Sequence, residues 1–480
     1  MLDAKTQFQL SRRRFLSQTA TGFGMMALAD LLGTDSIAAG LGLQGGRSHG
    51  VLGAPHFAPK AKRVIYLFQS GGPSHMDLFD YKPVLNEQNG KDIPASILGT
   101  QRVSLMTRDK GRRAFGSPYK FAQHGESRAW VSELMPHTAS VVDELCFIKS
   151  LQTEPINHDP AVTFIQTGRA ITGRPAFGSW MHYGLGNASK DLPAYVVMIS
   201  GATDQPILSR YYHNGFLPSR FQGVQFQSAG DPVLFLSNPT GIDHHNRGEI
   251  IGTINQLNAL QHAQSGDPEI EARMDSFEMA YRMQTSVPQL MDFASEPKEV
   301  LAMYGPNVTK PGSYAYQCLM ARRLAERDVR FVQIFHAGWD HHTGLRKDMK
   351  RQTDSCDQAS AALIKDLKMR GMLEDTLVVW GGEFGRTAYS QGDDLNGRDH
   401  HPRCFTIWMA GGGIKPGITI GATDDFGYNV VEGTIHVRDL HATMLHLLGI
   451  DHQRFTFKNQ GLDDRLTGVE PSRIIKEILA

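Results

Sequence analysis

Acid and histidine side chains recur together in three short segments of the second half of the chain. Gly338–Gly344 reads G-W-D-H-H-T-G, Trp380–Thr387 reads W-G-G-E-F-G-R-T, and Gly397–Pro402 reads G-R-D-H-H-P. The first two follow strand-like runs, Arg330–Phe335 and Thr376–Trp380; the third precedes another, Phe405–Met409. In an open α/β sheet, ligands bind in the crevice beyond the carboxyl ends of the strands. Asp, Glu and His gathered there are ligands for a cation such as Zn²⁺ or Mn²⁺. The first expectation is therefore a bound divalent ion, Zn, Mn or Ca.

Asp340 and His342 stand two apart in a Gly-flanked loop, where both can reach one ion. The alternative is an acid that bonds a backbone turn beside an exposed His. Glu383 reads as a ligand, or as a buried acid paired with Arg386. Arg386 can instead face the substrate as a bidentate clamp for phosphate or sulfate. His400 and His401 are adjacent, so in an extended segment they point to opposite sides and cannot both enter one site; both stay in the ligand set. Ser74, His75 and Asp77 follow a Gly-Gly-Pro turn after the first strand-like run. His75 and Asp77 join the ligand set and Ser74 the catalytic set, although Ser74 or Asp77 would serve equally well as a helix N-cap. His336 and His341 are less favoured as ligands, and one of them can serve to orient a ligand.

The elements that must position these residues follow from periodicity. Strands are expected at Val64–Gln69, Leu145–Lys149, Tyr195–Ile199, Arg330–Phe335, Thr376–Trp380 and Phe405–Met409. Helices are expected near Val131–Val142, from about Pro160, over Ile254–Phe293 with breaks near Gly266 and Pro288, and at Tyr314–Arg327, Lys347–Arg370 and Arg438–Leu448. Strands alternating with long helices imply an α/β fold, a three-layer α/β/α sandwich around a mainly parallel sheet. One domain over residues 60–480 is expected, with insertions at about 82–128 and 201–295.

Ser11-Arg12-Arg13-Arg14-Phe15-Leu16 fits the twin-arginine export pattern, followed by an apolar stretch and small residues near Ala38. Residues 1–40 read as that signal and 41–59 as a Gly-rich linker, so the export machinery is an expected partner and the periplasm or exterior the expected location. The apolar stretch is too short and interrupted to span a bilayer, and no stable membrane span is expected in the mature protein. Lys+Arg and Asp+Glu number 49 each, and removing the signal leaves 45 against 46. So even a balance offers no electrostatic attraction to nucleic acid. Cys146, Cys318, Cys356 and Cys404 are dispersed and read as buried free thiols.

His158-Asp159-Pro160-Ala161-Val162-Thr163-Phe164-Ile165-Gln166-Thr167-Gly168 lies along the sulfatase signature C-x-P-S-R-x-x-L-x-T-G with its Pro and closing Thr-Gly in register. Val437–Ile450 parallels the C-terminal helix of the same proteins. The chain thus resembles the alkaline phosphatase/sulfatase superfamily. Within it, G-G-P-S-H-M-D, H-x-G-W-D-x-H, G-G-E-F-G-R-T and G-R-D-H-x-P resemble the twin-arginine-exported domain-of-unknown-function family 1501. That resemblance implies an alkaline-phosphatase-like fold with one or two divalent ions and hydrolysis of sulfate or phosphate esters, the substrate being a small anionic ester or a sulfated or phosphorylated glycan. The family pattern favours His400 as ligand; the superfamily's distal ligand keeps His401 open. The departures are sharp. His158 stands where a sulfatase has its Cys, Val162 where it has Arg, and Gln69-Ser70 where relatives carry a first-strand acid. His158 is placed in the catalytic set with Arg386 and Ser74, its imidazole open to three readings: ligand, nucleophile or inert replacement. The competing expectation is a catalytically degenerate relative that binds a metal, glycan or protein.

Overall fold

The computed structural model describes residues 50–101, 103–104, 107, 111–201, 206–227, 231–233, 236–391 and 394–480. The export motif and the first part of the linker, residues 1–49, lie outside the described residues.

Among the described residues nine strands build the main sheet: β1 (Arg63–Ser70), β2 (Cys146–Gln152), β3 (Tyr195–Gly201), β4 (Val224–Gln225), β5 (Phe331–Ala337), β6 (Thr376–Gly381), β7 (Phe405–Ala410), β8 (Ile418–Ile420) and β9 (Ile435–His436). Their order is β8-β2-β7-β6-β1-β5-β3-β4, with β9 also pairing β2. β1 lies at the centre, parallel to β5 through Val64↔Phe331 and to β6 through Arg63↔Thr376. β7 alone runs against both of its neighbours, β6 and β2. A reversed strand begins at the edge where parallel strands end. That is why a motif preceding β7 and motifs following β5 and β6 arrive at the same side of the sheet.

Side chains alternate across the sheet, and the two faces feed two cores. Ile65 and Leu67 pack on one face with α5 (Tyr314–Glu326) and α6 (Leu345–Met369), through residues such as Leu319, Met349 and Leu363. Val64, Tyr66 and Phe68 pack on the other with α1 (His158–Thr167), α2 (Phe177–Leu185) and α7 (Val437–Leu447), through Phe164, Trp180 and Leu440. This is the three-layer α/β/α sandwich with a mainly parallel sheet. All four cysteines are buried and free. Among the described residues no helix is long and apolar enough to cross a membrane.

Three local expectations are corrected. Residues 131–142 are not a helix: Ala129–Ser132 is a strand, paired antiparallel with Phe121–His124, and a short helix at Pro136–Ala139 follows. A cross-strand partner outweighed the local helical pattern. α3 (His244–Ser265) begins ten residues earlier than apolar periodicity suggests, because Asp243 caps it by accepting from the Asn246 N–H at 2.8 Å. Pro288 does not break α4 (Pro268–Met291), which runs three residues past it.

Candidate metal centre

The Gly71-Gly72 turn after β1 is the scaffold. Gly71 has φ +116° and Gly72 φ +70°, a region that suits glycine. A Cβ at Gly71 would come within 2.6 Å of the Asp340 backbone nitrogen, and one at Gly72 within 2.7 Å of the Phe384 ring. Only bare backbone lets the loops after β5 and β6 close over this turn.

The closure brings four ligand atoms together: one each from His158, Asp340, His342 and His400, all within 4.8 Å of one another. Asp340 Oδ1 lies 3.1 Å from His158 Nε2, 3.0 Å from His342 Nε2 and 3.3 Å from His400 Nε2. His342 Nε2 and His400 Nε2 are 2.9 Å apart. Ligands about 2.0–2.1 Å from a tetrahedral ion stand about 3.3 Å from each other, so these spacings fit one shared cation. The four side chains are 10–21% exposed, which leaves the centre reachable from solvent.

The outer nitrogens of two of the imidazoles are held. His158 Nδ1 meets Glu383 Oε1 at 2.5 Å, and His400 Nδ1 meets the Ile156 carbonyl at 2.8 Å. His342 Nδ1 sits 3.9 Å from Asp399 Oδ1, beyond hydrogen-bond reach. Metal-binding histidines are oriented in this way, by an N–H given to a carboxylate or a carbonyl. Among the inner atoms His158 Nε2 is the least well served. His158 Nε2 is buried and, despite its proximity to Asp340, makes no hydrogen bond of acceptable geometry. An orphaned, buried imidazole nitrogen facing a carboxylate is what a cation would satisfy.

Electrostatics around the cluster are asymmetric. Burial works against charge on Asp340, but the Arg386 guanidinium at 2.6 Å and the three imidazoles hold its carboxyl well below the usual range. Burial lowers His400 to about 4, keeping it neutral. Burial also opposes charge on His158, yet its contacts with Asp340 and Glu383 prevail and raise it.

The remaining predicted site residues are placed elsewhere. Glu383 is fully buried one layer behind the cluster, its oxygens taken by His158 and by the Gly71 N–H at 3.0 and 3.2 Å. It orients a histidine instead of joining the four. Asp77, the expected first-strand ligand, is clamped by Arg398 at 2.7 and 3.1 Å and accepts from Ser74 Oγ at 2.5 Å. Ser74 is itself buried, and its partner Asp77 is not one of the four clustered residues. His75 Nε2 bonds the Gly427 carbonyl at 2.9 Å. His401 Nε2 bonds the Tyr428 carbonyl at 2.7 Å while its ring stacks on Tyr428. Arg386 is not a free clamp: it is 1% exposed and donates to the carbonyls of Gly71, Gly72, Trp339 and Arg398 as well as to Asp340. His336 is buried between Ser200 and Ser355, and His341 is buried beside Trp339. Gln69 accepts from Trp339 Nε1 at 2.9 Å and so holds the loop that carries Asp340.

Residues 61–479 match the family described as "Protein of unknown function (DUF1501)". The chain belongs to that family. No curated protein matches it. Among solved structures, this member of DUF1501 is similar to a protein in the alkaline phosphatase superfamily from Vibrio parahaemolyticus, at 11% identity over 89% of this chain and 72% of that one, TM-score 0.37. It is similar to the PsFucS1 sulfatase from Pseudoalteromonas sp., at 11% identity over 83% and 68%, TM-score 0.35. It is similar as well to the C-terminal periplasmic domain of EcEptC from Escherichia coli in complex with Zn, at 10% identity over 85% and 90%, TM-score 0.35.

Proposed function

We propose that this chain is an exported, metal-dependent hydrolase of sulfate or phosphate esters that works without a protein nucleophile. The observation that carries the proposal is the convergence of three imidazole nitrogens and one carboxylate oxygen within 4.8 Å, in a place solvent can reach. Three nitrogens and one oxygen suit Zn or Mn. They argue against Ca, which takes six to eight oxygens.

His158, His342, His400 and Asp340 would hold the ion. Bound there, it would supply Lewis acidity toward an ester oxygen. Glu383 keeps the proton of His158 on Nδ1 and so turns Nε2 inward. With Nδ1 on Glu383 and Nε2 on the cluster, His158 has no nitrogen left for nucleophilic attack. Ser74 is buried and donates to Asp77, which is not among the four ligand residues. Water is therefore read as the attacking group. Since Arg386 is occupied by carbonyls, the ester anion is met by the ion and by the N-terminus of α1, which opens at His158 with no side-chain cap.

The test is elemental analysis of protein purified from an exporting host, followed by a screen of sulfate and phosphate esters with and without EDTA. The expected result is about one ion per chain, turnover abolished by the chelator, and recovery with Zn²⁺ or Mn²⁺. Protein that carries metal but turns over no ester leaves a metal-binding, catalytically degenerate relative; protein without metal removes the proposal.

A further inference from the structure

A cavity of about 360 Å³ is lined in part by Thr153, Glu154, Ile156, Arg403, His436 and Arg438. Its volume is at the small end of the range for ligand sites. Ile156 joins it to the centre, because the carbonyl that receives His400 Nδ1 belongs to this wall. α1, headed by His158, supports it from below: the Phe164 ring carries the Arg438 guanidinium at 5.0 Å and the His436 ring edge-on at 5.8 Å.

The lining groups are unequally occupied. Glu154 bridges Arg438 at 2.8 Å and His436 at 3.2 Å, which neutralises the inner guanidinium. Arg403 is exposed and has no ion-pair partner among the described residues, so its charge is available to an incoming anion. Thr153 is 5% exposed, and its Oγ1 is buried without a hydrogen-bond partner. Arg438 Nε is also buried without one. One available cation beside a carboxylate and an unfilled hydroxyl matches a molecule that presents an anion and several hydroxyls together.

We infer that this cavity is a subsite for a sugar bearing a sulfate or phosphate group, with the anion on Arg403 and the hydroxyls on Glu154 and Thr153. It would hold the sugar next to the ester cleaved at the centre, and in that respect it rests on the hydrolase reading. Calorimetric titration of the full chain with galactose 6-sulfate, galactose 6-phosphate and galactose tests it, using native and EDTA-stripped protein. At least one anionic sugar is expected to bind more tightly than galactose, and to keep binding after stripping. Arg403→Gln is expected to weaken that binding about tenfold, the loss of one charged hydrogen bond, with Arg403→Lys in between and the melting curve unchanged. Equal binding of galactose and both anionic sugars, no binding at all, or wild-type binding by Arg403→Gln overturns the subsite. Arg403-dependent binding to a protein that never carries metal would sink the hydrolase reading and leave the subsite standing.

Discussion

Glu383 Oε1 lies 2.5 Å from His158 Nδ1, and the same carboxylate accepts from the Gly71 N–H. One buried acid thus ties the turn after β1 to the histidine at the head of α1. Glu383→Gln keeps the shape but can no longer anchor the imidazole with a full negative charge. Metal affinity, measured by competition with a chelating dye, is expected to fall about 10- to 100-fold. Unchanged affinity would remove Glu383 from the centre.

Asp77 and Arg398 are both fully buried and paired at 2.7 Å. Breaking such a pair on one side strands a charge, at a cost of about 3–5 kcal/mol. Asp77→Asn should therefore lower the denaturation midpoint strongly while the folded fraction keeps its metal. Loss of metal with unchanged stability would restore Asp77 as a ligand.

His400 and His401 offer the sharpest contrast. His400 pairs with Arg386 and His401 with Gly385 in a two-residue antiparallel bridge, which sends their side chains to opposite sides. His400→Ala is expected to lose metal, and His401→Ala to retain it with a reduced melting temperature. Elemental analysis of the two proteins decides between them.

Burial lowers His182 and His336 to about 3, far from the ordinary histidine value. Between about pH 6.5 and pH 3 the unfolded chain binds protons at these positions and the folded chain does not. Stability is then complete above pH 6.5 and falls with acidification, by up to about 1.4 kcal/mol per pH unit for each histidine. His336→Gln should flatten the acid limb of an unfolding series between pH 6 and 4. An unaltered slope would show that His336 does not contribute to it.

Export is tested at Arg12 and Arg13. Replacing both with Lys should leave the protein in the cytoplasm of its host, as read by fractionation. Secretion of the double variant would refute the twin-arginine reading.

Much of the architecture was legible because strands and helices announce themselves over short windows. Apolar runs such as Thr376–Trp380 and the alternation of strands with long helices are local properties of the chain. The three acid-histidine motifs could be assigned to one edge by the same logic, and Asp340, His342 and His400 converge there. His158 was visible too, as the departure within a familiar signature, though its place among the four was only one of three readings.

What the sequence could not decide was which charged groups neutralise each other. Asp77 finds Arg398 across 321 residues and Glu383 finds His158 across 225. Arg386 disappears among backbone carbonyls that no side-chain pattern encodes. Likewise the reversal of β7 comes from its pairing with β6 and β2, and the choice of His400 over His401 from the bridge to Gly385–Arg386. Residue type and spacing determined that acids and imidazoles would meet at the carboxyl edge of this sheet. Only the folded chain decided which of them face one another and which are bound away, because long-range partners set the energy of a buried charge and local periodicity carries no record of them.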